Sequence, residues 1–185
     1  MNTRNILMAG ALALATTMPA FADEVNLQLG TRELDMKDVD SKEDGDYLGA
    51  GYIFAIPQQG VDLGIGGSVT KNSVSAENGD YDYNDLSVIG TIGVPFGRLV
   101  PYGEFRYIVL SSGEYTPDSG GGDTDFDNTG YDFNVGLKYQ LNRTLAISGE
   151  TTLTAAQSFE GEGNNDLDYE YGLFDAFEVG VAYRL

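Results

Sequence analysis

From Val25 onward, hydrophobic side chains return at every second position, the period of a β-strand with one apolar face. Val25, Leu27 and Leu29 alternate with Asn26, Gln28 and Gly30, and Leu48, Ala50, Tyr52, Phe54 and Ile56 alternate with a Gly49/Gly51 face. The same period runs through Val61–Val69, Leu86–Val94, Phe105–Val109, Tyr131–Leu141, Leu145–Leu153 and Phe177–Leu185, so eight strands are predicted. Their connections alternate in length. Pro57–Gly60, Pro95–Arg98 and Asn142-Arg143 are tight turns of Pro, Gly and Asn, whereas Glu33–Asp46, Lys71–Asp85, Ser112–Thr129 and Ala155–Tyr171 are long and polar. An up-and-down meander of this kind loses its exposed sheet edges by closing into a barrel.

The alternation alone suits a soluble barrel with an apolar interior or a membrane barrel with an apolar exterior. The polar set distinguishes them, because it mixes charged residues with many Gly, Ala and Ser, which suit a cramped lumen better than a solvated wall. Aromatics also gather near strand ends: Phe96, Tyr139 and Tyr183 toward the tight turns, Tyr131, Phe133 and Phe177 toward the long stretches. That is the placement of interfacial girdles. The expected fold is therefore an all-β, eight-stranded antiparallel up-and-down transmembrane β-barrel with short periplasmic turns and four long extracellular loops.

Residues 1–22 read as a secretory signal peptide, and 23–185 as the barrel domain. Arg4 supplies the positive start, Ile6–Ala15 an apolar run of ten, and Ala20-Phe21-Ala22 a small-x-small cleavage site. The apolar run is about half the length a membrane-spanning helix needs.

Composition then narrows the chemistry. Cys 0 and His 0 exclude disulfides, thiolate nucleophiles, Cys/His zinc sites and a histidine base. A formal charge of −19 argues against nucleic acid, whose affinity for proteins comes from Lys and Arg. No cofactor is called for.

The final strand, Phe177-x-Val179-x-Val181-x-Tyr183-x-Leu185, resembles the C-terminal assembly signal of Gram-negative outer-membrane proteins, with Leu185 where that family usually has Phe. The chain from Asp23 resembles the small eight-stranded family that includes OmpX, Ail and the OmpA membrane domain. That resemblance implies an outer-membrane location, insertion by the barrel assembly machinery, contact with outer-membrane lipids and lipopolysaccharide, and a monomer. The family includes adhesins, structural anchors and lipases, so it implies little about activity.

Counting heights from the tight-turn end puts Arg32, Glu104, Arg106, Glu150 and Glu178 at nearly one level on the inward face, with Arg32 and Glu178 adjacent across the closing seam. With Lys138 they form the candidate lumen charge cluster. Eight strands leave room only for side chains, so the cluster reads as a plug, ahead of an ion path or a catalytic carboxylate pair.

The four long stretches hold 21 of the 29 acidic residues. Two of them repeat an acid/tyrosine alternation, Asp80-Tyr81-Asp82-Tyr83 and Asp168-Tyr169-Glu170-Tyr171, which suggests strands continuing above the membrane. Tyr81, Tyr83, Tyr169 and Tyr171 are candidate surface contacts. Asp123, Asp125 and Asp127 are weak calcium candidates that lack the spacing of an EF-hand loop, and loose divalent-cation bridging to lipid phosphates is the stronger expectation. The functional expectation is a non-enzymatic surface or envelope protein; a narrow cation-preferring channel and a lipid-modifying enzyme are the alternatives.

Overall fold

The structure, a computed structural model, describes residues 24–36, 42–56, 59–76, 79–118, 123–161, 167–171 and 176–185. The expected signal peptide lies outside these. Every named element is a strand: β1 (Glu24–Met36), β2 (Lys42–Ile56), β3 (Asp62–Ala76), β4 (Gly79–Gly93), β5 (Leu99–Pro117), β6 (Thr124–Gln140), β7 (Leu145–Gly161), β8 (Leu167–Tyr171) and β9 (Ala176–Arg184). From β1 to β7 each strand pairs antiparallel with the next in chain order. β8 and β9 share one place in the ring, both lying between β7 and β1. The barrel is thus closed with eight strand positions.

The exterior is apolar. Leu27, Leu29, Leu48, Ile65, Val88, Ile92, Phe105, Tyr107, Leu137, Ile147, Val179 and Val181 all face outward and are exposed. The buried set is mostly polar, including Asn26, Gln28, Arg32, Asn72, Asp85, Glu104, Arg106, Asn134, Glu150 and Glu178. This polarity, inverted relative to a soluble core, follows from the solvent: lipid favours hydrocarbon outside, and the ring of strands satisfies the backbone.

A tilted membrane strand needs about 9–11 residues, yet β2 to β7 run 15 to 19. The surplus lies at the end opposite the tight turns. Most of each long polar stretch expected as loop is therefore strand, with β3 and β4 separated only by residues 77–78 and β5 reaching Pro117. Alternation continues there because both sides still differ, water outside and packed side chains inside.

Two bulges reset which residues face in. Val109 is extra where Leu86 pairs with Leu110 and Ser87 with Ile108, so Val109 and Leu110 both face outward and Gly113 turns inward. Leu153 is extra where Phe133 pairs with Thr154 and Asn134 with Thr152, and beyond it Ala155 and Gln157 take the buried side. Each bulge inverts the parity of the rest of its strand.

Candidate functional site

The lumen is filled in layers. At its centre is Arg106 on β5, fully buried, whose guanidinium meets Glu104 at 2.7 Å, Glu150 at 3.5 Å, Glu178 at 3.6 Å and Asp132 at 3.8 Å. Arg32 on β1 meets Glu178 on β9 at 3.4 Å across the closing seam. Both guanidinium groups also lie over the Tyr47 ring, with the Arg32 carbon 4.3 Å and the Arg106 carbon 5.4 Å from its centroid, so the ring offers both cations a π face. Buried charges persist when they are paired and hydrogen-bonded. Glu150 gains further donors from Gln28 Nε2 at 3.1 Å and Tyr102 hydroxyl at 2.5 Å.

Glycines make room for these rings. A Cβ on Gly49 would meet the Tyr47 hydroxyl at 2.6 Å, and one on Gly136 would meet the Tyr102 ring at 2.6 Å. Either ring needs a bare backbone on the facing or neighbouring position to lie across the lumen.

The structure therefore brings Arg32, Glu104, Arg106, Glu150 and Glu178 into one network. Lys138 is placed elsewhere, a layer nearer the tight turns, where its ammonium holds Glu24 at 2.5 Å and stands 5.7 Å from the Tyr102 ring. Lys138 lines the lumen as grouped, but its partner is Glu24 and not a carboxylate of the arginine cluster, although Glu150 stands opposite Gly136, two residues along β6. Between the two layers is a cavity of about 50 Å³ lined by Asn26, Gln28, Tyr102, Glu104, Lys138 and Ser148 among others. It has room for a few waters and for nothing of substrate size.

Toward the other end, amides carry the network onward. Gln157 donates to Asp132 at 3.0 Å, Asn128 donates to Gln157 at 3.2 Å and to Asp85 at 3.4 Å, and Asn72 donates to Asp85 at 3.2 Å. Above this layer the filling turns apolar: Val74, Tyr83, Phe126 and Ala155 are buried together, with Tyr81 and Tyr115 packed against them. Tyr81 and Tyr115 have ring centroids 4.6 Å apart, and Tyr83 lies edge-on to Phe126 at 5.9 Å.

This cap corrects the expectation for Tyr83 and Tyr81. Tyr83 is 1% exposed and Tyr81 is partly buried, both facing into the barrel. Their strand presents Asp80 and Asp82 to water instead, because the outer wall above the membrane is the hydrated side. Tyr169 and Tyr171 pair by backbone with Gln157 and Ala155; their side chains lie outside the described residues.

On the outer wall of the same extension, register aligns Asp46, Ser73, Asp82, Glu114 and Asp125 from β2 to β6. Ser73 donates to Asp82 at 2.7 Å. Asp82 faces Glu114 and Glu114 faces Asp125, like charges directly opposed. Asp123 accepts a hydrogen bond from Thr116 at 3.2 Å. Asp125 and Asp127 lie on β6 and Asp123 just before it, and no group of three potential ligands occurs among the described residues.

Sequence reasoning missed Asp132, Tyr47, Tyr102 and Gln28. Asp132 had a signal, since it alternates with Tyr131 and Phe133 at the same inward parity as Lys138.

A closed ring of strands with hydrocarbon outside and a polar, charge-paired lumen is a transmembrane β-barrel. The chain belongs to the outer membrane protein beta-barrel domain family, whose model matches residues 7–184. Family membership places it in the outer membrane of a Gram-negative cell. Among solved structures it is similar to Neisserial surface protein A, at 14% identity over 88% of this chain and 96% of that one, with a TM-score of 0.57. OprG of Pseudomonas aeruginosa (13% identity, 89% and 97% covered, TM-score 0.48) and Ail of Yersinia pestis (15%, 88% and 99%, 0.46) also align. At these identities the likeness is one of fold. No curated protein sequence matches the chain.

Proposed function

We propose that this protein is a non-enzymatic outer-membrane barrel that acts at its extracellular rim, in envelope integrity or surface interaction. The observation that carries this reading is the filled lumen: side chains occupy it from the Lys138–Glu24 pair through the Arg106 network to the Tyr83 cap. A solute path would have to separate several buried ion pairs at once, at a cost of several kcal/mol each. The buried carboxylates lie out of reach of any lipid substrate. What remains accessible is the outer wall with its aligned carboxylates.

The partners this reading assigns follow from the same surfaces. The apolar belt contacts lipid and lipopolysaccharide, the rim carboxylates reach lipid phosphates through divalent cations, and Phe177, Val179, Val181, Tyr183 and Leu185 present the strand read by the assembly machinery. Residues 1–22 act as a cleaved signal peptide, and the barrel works as a monomer. A narrow cation-preferring channel is the second reading, favoured by the excess of inward acids (Glu24, Asp85, Glu104, Asp132, Glu150, Glu178) over inward bases (Arg32, Arg106, Lys138).

Planar-bilayer recording tests both. The purified barrel is expected to show no steady conductance, and stable cation-selective openings in the wild type would replace the first reading with the second. Replacing Asp46, Asp82, Glu114 and Asp125 by their amides is expected to leave the heat-modifiable gel shift unchanged while altering chelator sensitivity or partner binding of whole cells.

A further inference from the structure

The tight-turn end carries a second charged surface of the opposite sign. Arg98 lies in the turn before β5, and its carbonyl accepts the Gln140 amide at 2.8 Å, so it abuts the end of β6. Arg143 occupies the next turn, which Asn142 shapes by accepting the Thr144 and Leu145 amides at 2.8 and 2.9 Å. Arg184 donates its amide to the Thr144 carbonyl at 2.7 Å, which sets it beside that turn. Three arginines thus follow one another along half of the rim, from β5 to β9.

All three are exposed, and none has an ion pair among the described residues. The nearest inward acid, Glu24, is already held by Lys138. The flanking residues point into hydrocarbon: Phe96 is 66% exposed and Leu185 60%, and Leu99, Leu141 and Tyr183 are exposed as well. Between the ends of β6, β7 and β9 the mouth of the lumen forms a recess of about 20 Å³, lined by the Glu24–Lys138 pair and by Asn142, Arg143, Thr144 and Arg184 among others.

We propose that this arginine arc is a docking surface for anionic phospholipid headgroups of the periplasmic leaflet. Cations at the edge of an apolar belt sit at headgroup depth, where guanidinium groups pair with phosphate oxygens. The apolar neighbours favour a lipid over a soluble polyanion, because acyl chains would cover Phe96, Leu99 and Leu185 while the phosphate meets the arginines. The opposite half of the rim supplies no matching surface: the β2–β3 connection carries no basic residue, and Asp62 stands there. Together with the acidic outer rim, the arc makes the barrel electrostatically polar along its axis, independently of what the outer rim binds.

The test is electron paramagnetic resonance of spin-labelled lipids around the reconstituted full chain, comparing phosphatidylglycerol with phosphatidylcholine. The wild type is expected to enrich phosphatidylglycerol about threefold at low salt, with the preference fading at high salt. The triple variant Arg98→Gln, Arg143→Gln, Arg184→Gln is expected to lose the preference, and the corresponding triple Lys variant to keep most of it. The gel shift on heating verifies that each is folded; should the triple Gln variant fail to insert, the single Gln variants are each expected to lower the enrichment stepwise. Absence of wild-type enrichment, enrichment insensitive to salt, or full enrichment in the Gln variants would overturn the proposal. None of these outcomes bears on conductance or on the extracellular rim.

Discussion

The two halves of the lumen come from the same strands, each alternating inward and outward residues, yet they are filled on opposite principles. Around Arg106, four carboxylates converge on one guanidinium within 4 Å, and each position is specified by a charge and a direction. Around Tyr83, Val74, Phe126 and Ala155 contact one another with no comparable directional demand. The difference teaches what each half can tolerate. A buried ion network fails when one member is removed, because its partners are left charged and unpaired. An apolar cluster loses contact area and relaxes in proportion.

Removing Arg106 presses hardest on that contrast. Arg106→Ala leaves Glu104, Asp132, Glu150 and Glu178 with Arg32 as the nearest cation, so a loss of about 3–5 kcal/mol is expected, read as a lower urea midpoint for the gel shift. A loss below about 1 kcal/mol would mean that the carboxylates are compensated in some other way, and the two halves would not differ as described.

In the apolar half, Phe126→Ala is expected to cost about 2–3 kcal/mol, below the usual 3–5 for a buried Phe because the mouth of the barrel can relax, while Phe126→Leu should cost under about 1.5. The sharper comparison is between conservative changes. If Phe126→Leu proved as damaging as Arg106→Lys, packing in the cap would be as directional as pairing in the network.

A single donor can be tested with Tyr102→Phe, which removes the hydroxyl bonded to Glu150 and keeps the ring. About 1.5 kcal/mol is expected, within the range for a hydrogen bond to a charged group, by the same urea titration. Smaller again is the outer wall. Asp125→Asn removes a like charge that faces Glu114 across β5 and β6, so it should stabilise by a few tenths of a kcal/mol at low salt and by less at high salt. Destabilisation by this substitution would show that the Asp125 charge is favourable at the rim.

The contrast also marks where the sequence was legible. Strict alternation over Tyr131–Leu141 and Phe177–Leu185 identifies strands, because the two faces of a membrane barrel wall meet different solvents along the whole span. Height counting reached Arg32, Glu104, Arg106, Glu150 and Glu178 because those strands run without interruption from the tight turns to that level. It did not reach Tyr47, whose ring meets both arginines across a wall that Gly49 leaves bare. Nor did it reach the cap. There the signal was present but unused: β4 runs without a bulge, so the outward parity of Val88 and Ile92 carries down to Asp82 and Asp80 and turns Tyr81 and Tyr83 inward.

The sequence by itself determined the strands, the inverted polarity of the wall and the level of the central charges, since each depends on period and spacing within one uninterrupted segment. Only the tertiary structure decided which side of the β5 and β7 extensions is inside, how Asp132 and Gln157 join the network, and where Lys138 pairs. Those outcomes depend on the bulges at Val109 and Leu153 and on register between strands distant in the chain. One extra residue exchanges the two faces of everything that follows it, and a period of two reads the same from either side.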